Sequence, residues 1–425
     1  MIRTVLPGGL RVIVKTNRLS PSVAVRLVLH SGTMPDPVGK EGLANLTSSL
    51  LEDGTKKWTG DTIAEKTDFI GADFGVSVDR HATVFVSSFL REHLAFMLGL
   101  GRELLANPVF PAKEIRKVQG QILSDLREDE HDTGAVAMKN LRRFLYPRTH
   151  PYGRPASGTK KTIPALKRSD LVRFHRDEYR PSGGILMIVG DVKESEAVAA
   201  AKRAFGSWRG NGRSGPPEVP GAKGPRRIRT KAHVIAQKSQ CDIALGMVGI
   251  RRLDPDFFAA IVLNQILGAF GLGGRLGNRI REQEGLAYYV YSALSPTVGP
   301  GPFVIRAGVH PSQVGRAVAL MVEEIDRIRQ KKVTDREIEE TRRFMIDSMP
   351  LRLETNEGIA AFHLNEEYYG LGPHYLEKYR ESVQAVTKEE VLAVAQRLLR
   401  PDAFGLSVAG PALPAPLEDL VGPLS

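Results

Sequence analysis

One cysteine, Cys241, occurs in 425 residues. A lone cysteine excludes an internal disulfide and a zinc site built on thiolates, and says little about compartment. No stretch approaches the 18 consecutive apolar residues that a membrane span needs. Ten histidines are scattered from His30 to His374, and none is spaced as HxxEH, HxxxH or HxH. Isolated histidines do not make a zinc site. There is no GxSxG elbow for a serine nucleophile. The glycine run Gly268–Arg275 lacks the GKS or GKT ending of a phosphate loop, so nucleotide binding is not expected.

What is present is ordinary globular composition, 42% hydrophobic and 25% charged, with 59 Lys and Arg against 48 Asp and Glu. The resulting charge of +11 is spread along the chain without an aromatic-basic motif. Nucleic acid is therefore not an expected partner, whereas an acidic protein or peptide is. Met1 leads directly into an apparent strand, Leu6–Val14, with neither the apolar region nor the cleavage site of a secretory signal. A native Met1 predicts a cytoplasmic chain; a mature protein starting here would also suit the periplasm.

The length favours two domains. The boundary lies in Arg209–Arg227, RGNGRSGPPEVPGAKGPRR, where glycine and proline oppose regular structure. This predicts an exposed linker between domains 1–208 and 228–425. The halves repeat one another. Leu94, Met97, Leu98, Leu104 and Leu105 mark a helix, and Ile115, Val118, Ile122 and Leu126 a second. The same pair returns roughly 220 residues later at Val314–Ile328 and Ile338–Met349. Leu166–Val192 and Val386–Pro411 share a polar helix start (Ser169, Thr387), a stop before Arg-Pro, and an apolar strand ending at Gly190 or Gly410. One repeat of this length is a duplicated domain. Strands and helices mix without strict alternation, which predicts two tandem α+β domains. Each would be a mostly antiparallel sheet covered by helices on one face.

Several segments carry a family resemblance. LPGGLRVIV at Leu6–Val14, THPYGRPASGT at Thr149–Thr159, Asn264–Gly268 and RLGNRIREQEGLAYYVYS at Arg275–Ser292 resemble the pitrilysin and mitochondrial processing peptidase family. The likeness spans nearly the whole chain and implies duplicated α+β halves. Active members carry HxxEH on a first-half helix, with a further acidic ligand downstream. The two histidines hold zinc one turn apart and the glutamate activates water. In this sequence Asn45, Ser48 and Ser49 occupy the histidine, glutamate and histidine positions, and Asp125 aligns with the third ligand. Asn and Ser are poor zinc ligands, and Ser48 cannot serve as a carboxylate base. Glu52 and Asp53 nearby read as a solvated helix end.

The resemblance also implies an arginine and a tyrosine that reach a zinc site from the second half, here Arg281 and Tyr288. Arg281 could equally pair with Glu282 or Glu284, and Tyr288 could be a core residue. Gly285 between them predicts that Arg281 closes a helix and Tyr288 begins the next strand. The expected function is a subunit of a heterodimeric zinc endopeptidase acting on peptides or unfolded segments. A paralogous partner would supply HxxEH and zinc; this chain would hold no metal or other cofactor and supply Arg281 and Tyr288 in trans. The alternatives are an inactive structural subunit, like the core proteins of the respiratory cytochrome complex, and a homodimeric peptide-binding module.

Overall fold

A computed structural model describes residues 1–210, 215–269 and 273–421. The first sheet contains β1 (Ile2–Val5), β2 (Arg11–Thr16), β3 (Ser22–Leu29), β4 (Asp73–Val78), β5 (Thr83–Leu90) and β6 (Ile185–Gly190), in the order β1-β2-β6-β3-β5-β4. The second contains β7 (Arg229–Val234), β8 (Cys241–Val248), β9 (Ala287–Leu294), β10 (Pro302–Val309) and β11 (Gly405–Gly410), in the order β7-β11-β8-β10-β9. Removing β1 leaves the same topology twice. Among these described strands, β2 with β6 and β7 with β11 are parallel and the other neighbours are antiparallel. The mixed α+β architecture with two related sheets follows the expectation from the repeat.

The repeat extends to single atoms. The helices Arg168–Glu178 and Lys388–Leu398 stop ahead of Arg180-Pro181 and Arg400-Pro401. Thr387 caps the second through a reciprocal bond pair with Glu390, whereas Ser169 lies inside the first helix, which opens at Arg168. Each following strand ends on a glycine pressed against a neighbouring strand. A Cβ at Gly190 would stand 2.3 Å from Ser22 O, and one at Gly410 would stand 2.6 Å from Gln240 O. No other residue fits either place.

The central strands bury both faces, which the one-sided expectation did not include. On β3, Val23, Val25, Leu27 and Leu29 join the large core beneath the main helical layer, while Ala24 and Val28 join a smaller core on the other face. That smaller core is closed by the helix Asn356–Tyr369, through Ala360 and Leu364. The corresponding face of the second sheet is covered by the helix Thr133–Leu145.

These two helices shift the domain boundaries from residues 208 and 228. One compact unit comprises Met1–Leu126, Arg154–Pro217 and Met349–Pro373; the other comprises Arg127–Gly153, Glu218–Ser348 and His374–Ser425. Each half of the chain thus contributes one helix to the sheet built by the other half. The cause is packing: both helices have an apolar face, and each buries it on strands distant in sequence.

Residues 211–214 of the linker lie outside the described residues, as does part of the glycine run, at 270–272. From Gly215 to Ile228 the chain has no helix or strand. It is not wholly exposed, however. Val219 is only 4% exposed, and Pro220 O accepts a hydrogen bond from His150 Nε2 at 2.9 Å. No helix among the described residues is long and apolar enough to cross a membrane.

Candidate functional site

Asn45, Ser48 and Ser49 belong to the short helix Leu43–Ser49. Its start is held by a carboxylate from the loop just ahead of it. Asp36 Oδ2 accepts from Gly42 N at 2.8 Å and Oδ1 from Ala44 N at 2.9 Å. Arg154 donates to Asp36 O and Met34 O at 2.6 Å each, fixing the loop that presents the carboxylate. Burial raises the Asp36 pKa to about 7, against the lowering effect of the backbone N–H groups and Arg154.

This shift has a testable sign. A carboxyl with a raised folded pKa binds its proton in the native state at pH values where the unfolded chain has lost it. The stability it contributes is present below about pH 4 and is lost as pH rises through 7. Asp36→Asn removes the titration. The variant is therefore expected to gain stability relative to the native chain between pH 5 and 8, read as the difference in urea midpoints across that range. A relative loss with rising pH would mean that the helix start holds the carboxylate ionised.

The side chains at the motif positions diverge. Asn45 is half-buried, Ser48 is buried with its hydroxyl beside that of Tyr179, and Ser49 is exposed. Ser49 and Asp125 line one cleft of about 420 Å³ with Glu52, Asp53, Lys117 and Gln121, whereas Asn45 and Ser48 do not. Glu52 and Asp53 are not the freely solvated helix end expected from sequence. Burial raises both pKa values. Glu52 Oε1 accepts from Val76 N at 2.7 Å. Lys117 Nζ is 4.0 Å from Asp53 and 3.3 Å from Glu114. The donors aligned with a zinc site are thus an amide, a hydroxyl and one carboxylate, beside an ammonium group that opposes a cation. They do not fit zinc, which takes three or four imidazole, thiolate or carboxylate ligands. Among the described residues no three His, Cys, Asp or Glu side chains are grouped to hold a metal.

Arg281 lies in the last turn of a π-helical segment, Gly277–Gln283, and Tyr288 is the second residue of β9. Gly285, at φ 66°, makes the turn between them. Arg281 Nε is 3.8 Å from Glu282 Oε1, a loose pair at a side chain 41% exposed. The alternative acid, Glu284, is engaged by Arg316 at 2.7 Å and Arg279 at 3.5 Å. Tyr288 is not a core residue; it is 75% exposed. The ladder explains this. Tyr289 is opposite Gly308 and Ala287 opposite Val309, so Tyr288 is the extra residue of a β-bulge. Bulges re-aim a side chain, and π-helical turns are also common at functional sites.

The next two tyrosines on alternate positions behave differently. The Tyr289 hydroxyl bonds to Asp242 Oδ1, and Tyr291 Oη accepts from Arg306 Nη1 at 3.3 Å. Asp242 also accepts from Thr133 Oγ1 at 2.5 Å and pairs with Arg306 at 3.4 Å. Burial, then the bond to Asp242 and its charge, push the Tyr289 pKa upward. This network and Asp36 were not among the residues singled out from sequence. Asp36 has a weak signal, since an Asp ahead of a helix start suggests a cap; nothing in the sequence joins Asp242 to Thr133.

Residues 11–160 match the family profile described as Insulinase (Peptidase family M16), and residues 165–345 match the one described as Peptidase M16 inactive domain. An uncharacterized zinc protease of Streptomyces coelicolor is 28% identical over 421 residues, which cover 96% of this chain and 89% of that protein. A Helicobacter pylori protein named non-peptidase homolog YmxG is 25% identical, over 89% of this chain and 87% of its own length. The crystal structure of a peptidase M16 inactive domain from Pseudomonas fluorescens superposes with a TM-score of 0.89 at 27% identity, covering 97% of this chain and 98% of that one.

Proposed function

Because the chain belongs to peptidase family M16 and carries its inactive-type domain, we propose that it is the subunit without zinc of a heterodimeric metalloendopeptidase. A paralogous partner carrying HxxEH supplies the metal and the base that activate water. This chain supplies Tyr288, whose hydroxyl donates to the oxyanion formed at the scissile carbonyl, and Arg281, whose guanidinium donates to carbonyls of the substrate backbone. The substrates are oligopeptides and unfolded segments.

The observation that carries this reading is the pairing of two features in one chain. The helix Leu43–Ser49 lacks the ligands and base of a zinc peptidase. Tyr288, by contrast, is turned out to solvent at a bulge, a short turn after the helical segment whose last turn carries Arg281. A polypeptide that only filled space would gain nothing from exposing that ring. The name non-peptidase homolog given to the H. pylori relative is consistent with inactivity of the isolated chain.

The purified chain is expected to hold no stoichiometric zinc and to cleave no peptide. Peptidase activity should appear when an HxxEH paralogue that co-purifies with it is added. Elemental analysis showing one tightly held zinc per chain, with chelator-sensitive cleavage, would overturn the reading. A stable pair without gain in activity would leave the structural-subunit alternative in its place.

A further inference from the structure

The two sheets differ at one edge. In the first, β1 closes the outer side of β2, running antiparallel with Ile2 opposite Val14 and Val5 opposite Arg11. β7 holds the place of β2 in the second sheet, since each lies parallel beside the strand that ends at Gly190 or Gly410. Among the described residues no strand pairs with the outer side of β7. Arg229 N donates to Phe404 O and Ile235 N to Gly410 O, so the odd-numbered residues face β11. The N–H and C=O groups of Thr230, Ala232 and Val234 then point outward. Among the described residues no backbone bond from these three is made elsewhere.

β7 is also barely covered. All its residues but Thr230 are exposed, Val234 to 63%. Arg229, Lys231 and His233 share one face, where Arg229 stacks over Phe144 at 4.7 Å. Among the described residues neither Arg229 nor Lys231 forms an ion pair, and Arg226 and Arg227 precede them. On the other face Thr230 Oγ1 donates to Glu418 at 2.5 Å. Cations on an edge strand discourage pairing with a like copy. They favour a strand that sets carboxylates opposite them.

We propose that the outer edge of β7 receives an extended acidic segment of a partner polypeptide, added antiparallel in the position that β1 takes in the first sheet. A second copy of this chain is disfavoured, because two β7 edges would bring Arg229 and Lys231 against the same residues. The surface is separate from Tyr288, which belongs to β9 at the opposite edge of this sheet. It therefore stands or falls independently of the peptidase reading.

The test uses the full chain and three fluorescein-labelled peptides: one alternating Val and Glu, one alternating Val and Lys, and the first with prolines at alternate positions. By fluorescence anisotropy the Glu peptide should bind about ten-fold more tightly than the Lys peptide, and the proline copy should not bind. Ala232→Pro removes an N–H that faces outward, so the ladder to β11 survives, and it should weaken the Glu peptide about ten-fold. Lys231→Glu should reverse the preference between Glu and Lys peptides, and it decides the matter if Ala232→Pro fails to fold. Equal binding of the two charged peptides, or a preference unchanged in Lys231→Glu, would overturn the proposal. So would a dimer in sedimentation that Ala232→Pro dissolves, which would give the edge to a second copy.

Discussion

Tyr288→Phe is expected to lower kcat of the paired enzyme about 10²-fold with little change in KM, because the proposed role gives that hydroxyl chiefly to the developing oxyanion. The ring is 75% exposed and forms no hydrogen bond among the described residues, so folding should be untouched. Arg281→Ala should reduce kcat and raise KM together, since a guanidinium also holds backbone carbonyls in the ground state. Its 3.8 Å pair with Glu282 is loose and solvated, so its removal costs little stability. The assay is peptide cleavage by the reconstituted pair, with assembly followed by size-exclusion chromatography. Full activity in both variants would take this chain out of the chemistry.

Leu141→Ala should destabilise the second compact unit by about 2–5 kcal/mol, the range for removing a fully buried leucine. Leu141 is fully buried on the helix Thr133–Leu145. Its methyls occupy the space left by two glycines: a Cβ at Gly246 on β8, or at Gly405 on β11, would stand 2.9 Å from them. The surrounding strands can collapse only partly onto the gap, which places the cost well above that of a surface change. Hydrogen exchange resolves where the damage falls. Peptides covering β8 and β11 should lose protection while those covering β3 and β6 keep it, although Leu141 is encoded in the first half of the chain. The mirror variant, Leu364→Ala, should expose β3 and β6 instead.

The internal repeat was legible because it rests on local signals: apolar spacing in helices, Arg-Pro stops, and glycines whose Cβ would strike the next strand. The domain boundaries were not. A helix's apolar face shows that it will be buried, but not against which sheet, and Thr133–Leu145 and Asn356–Tyr369 each chose strands far away in sequence. At the candidate site, the missing ligands at Asn45, Ser48 and Ser49 could be read directly, since ligand chemistry is a property of side-chain type. The exposure of Tyr288 could not. It follows from a register shift between β9 and β10, and three neighbouring tyrosines look alike in sequence although one is solvated and two join a polar network. Glu52 departs from a solvated helix end because its partner, the N–H of Val76, lies on a strand 24 positions on.

The exchanged helices set an order of events during synthesis. The ribosome extends a chain at roughly 5–20 residues per second. The strands that contribute Ile13, Ala24, Val28, Ile185, Met187 and Val189 to the smaller core are complete once Gly190 has emerged. The helix that shields that face begins only at Asn356. For roughly ten to thirty seconds the nascent protein therefore carries a finished sheet with one greasy side open. A chaperone that grips short apolar strands is expected on the ribosome-bound chain in that interval, and its release should coincide with translation past Tyr369. A messenger truncated before codon 356 should yield a product that stays bound to such a chaperone or aggregates.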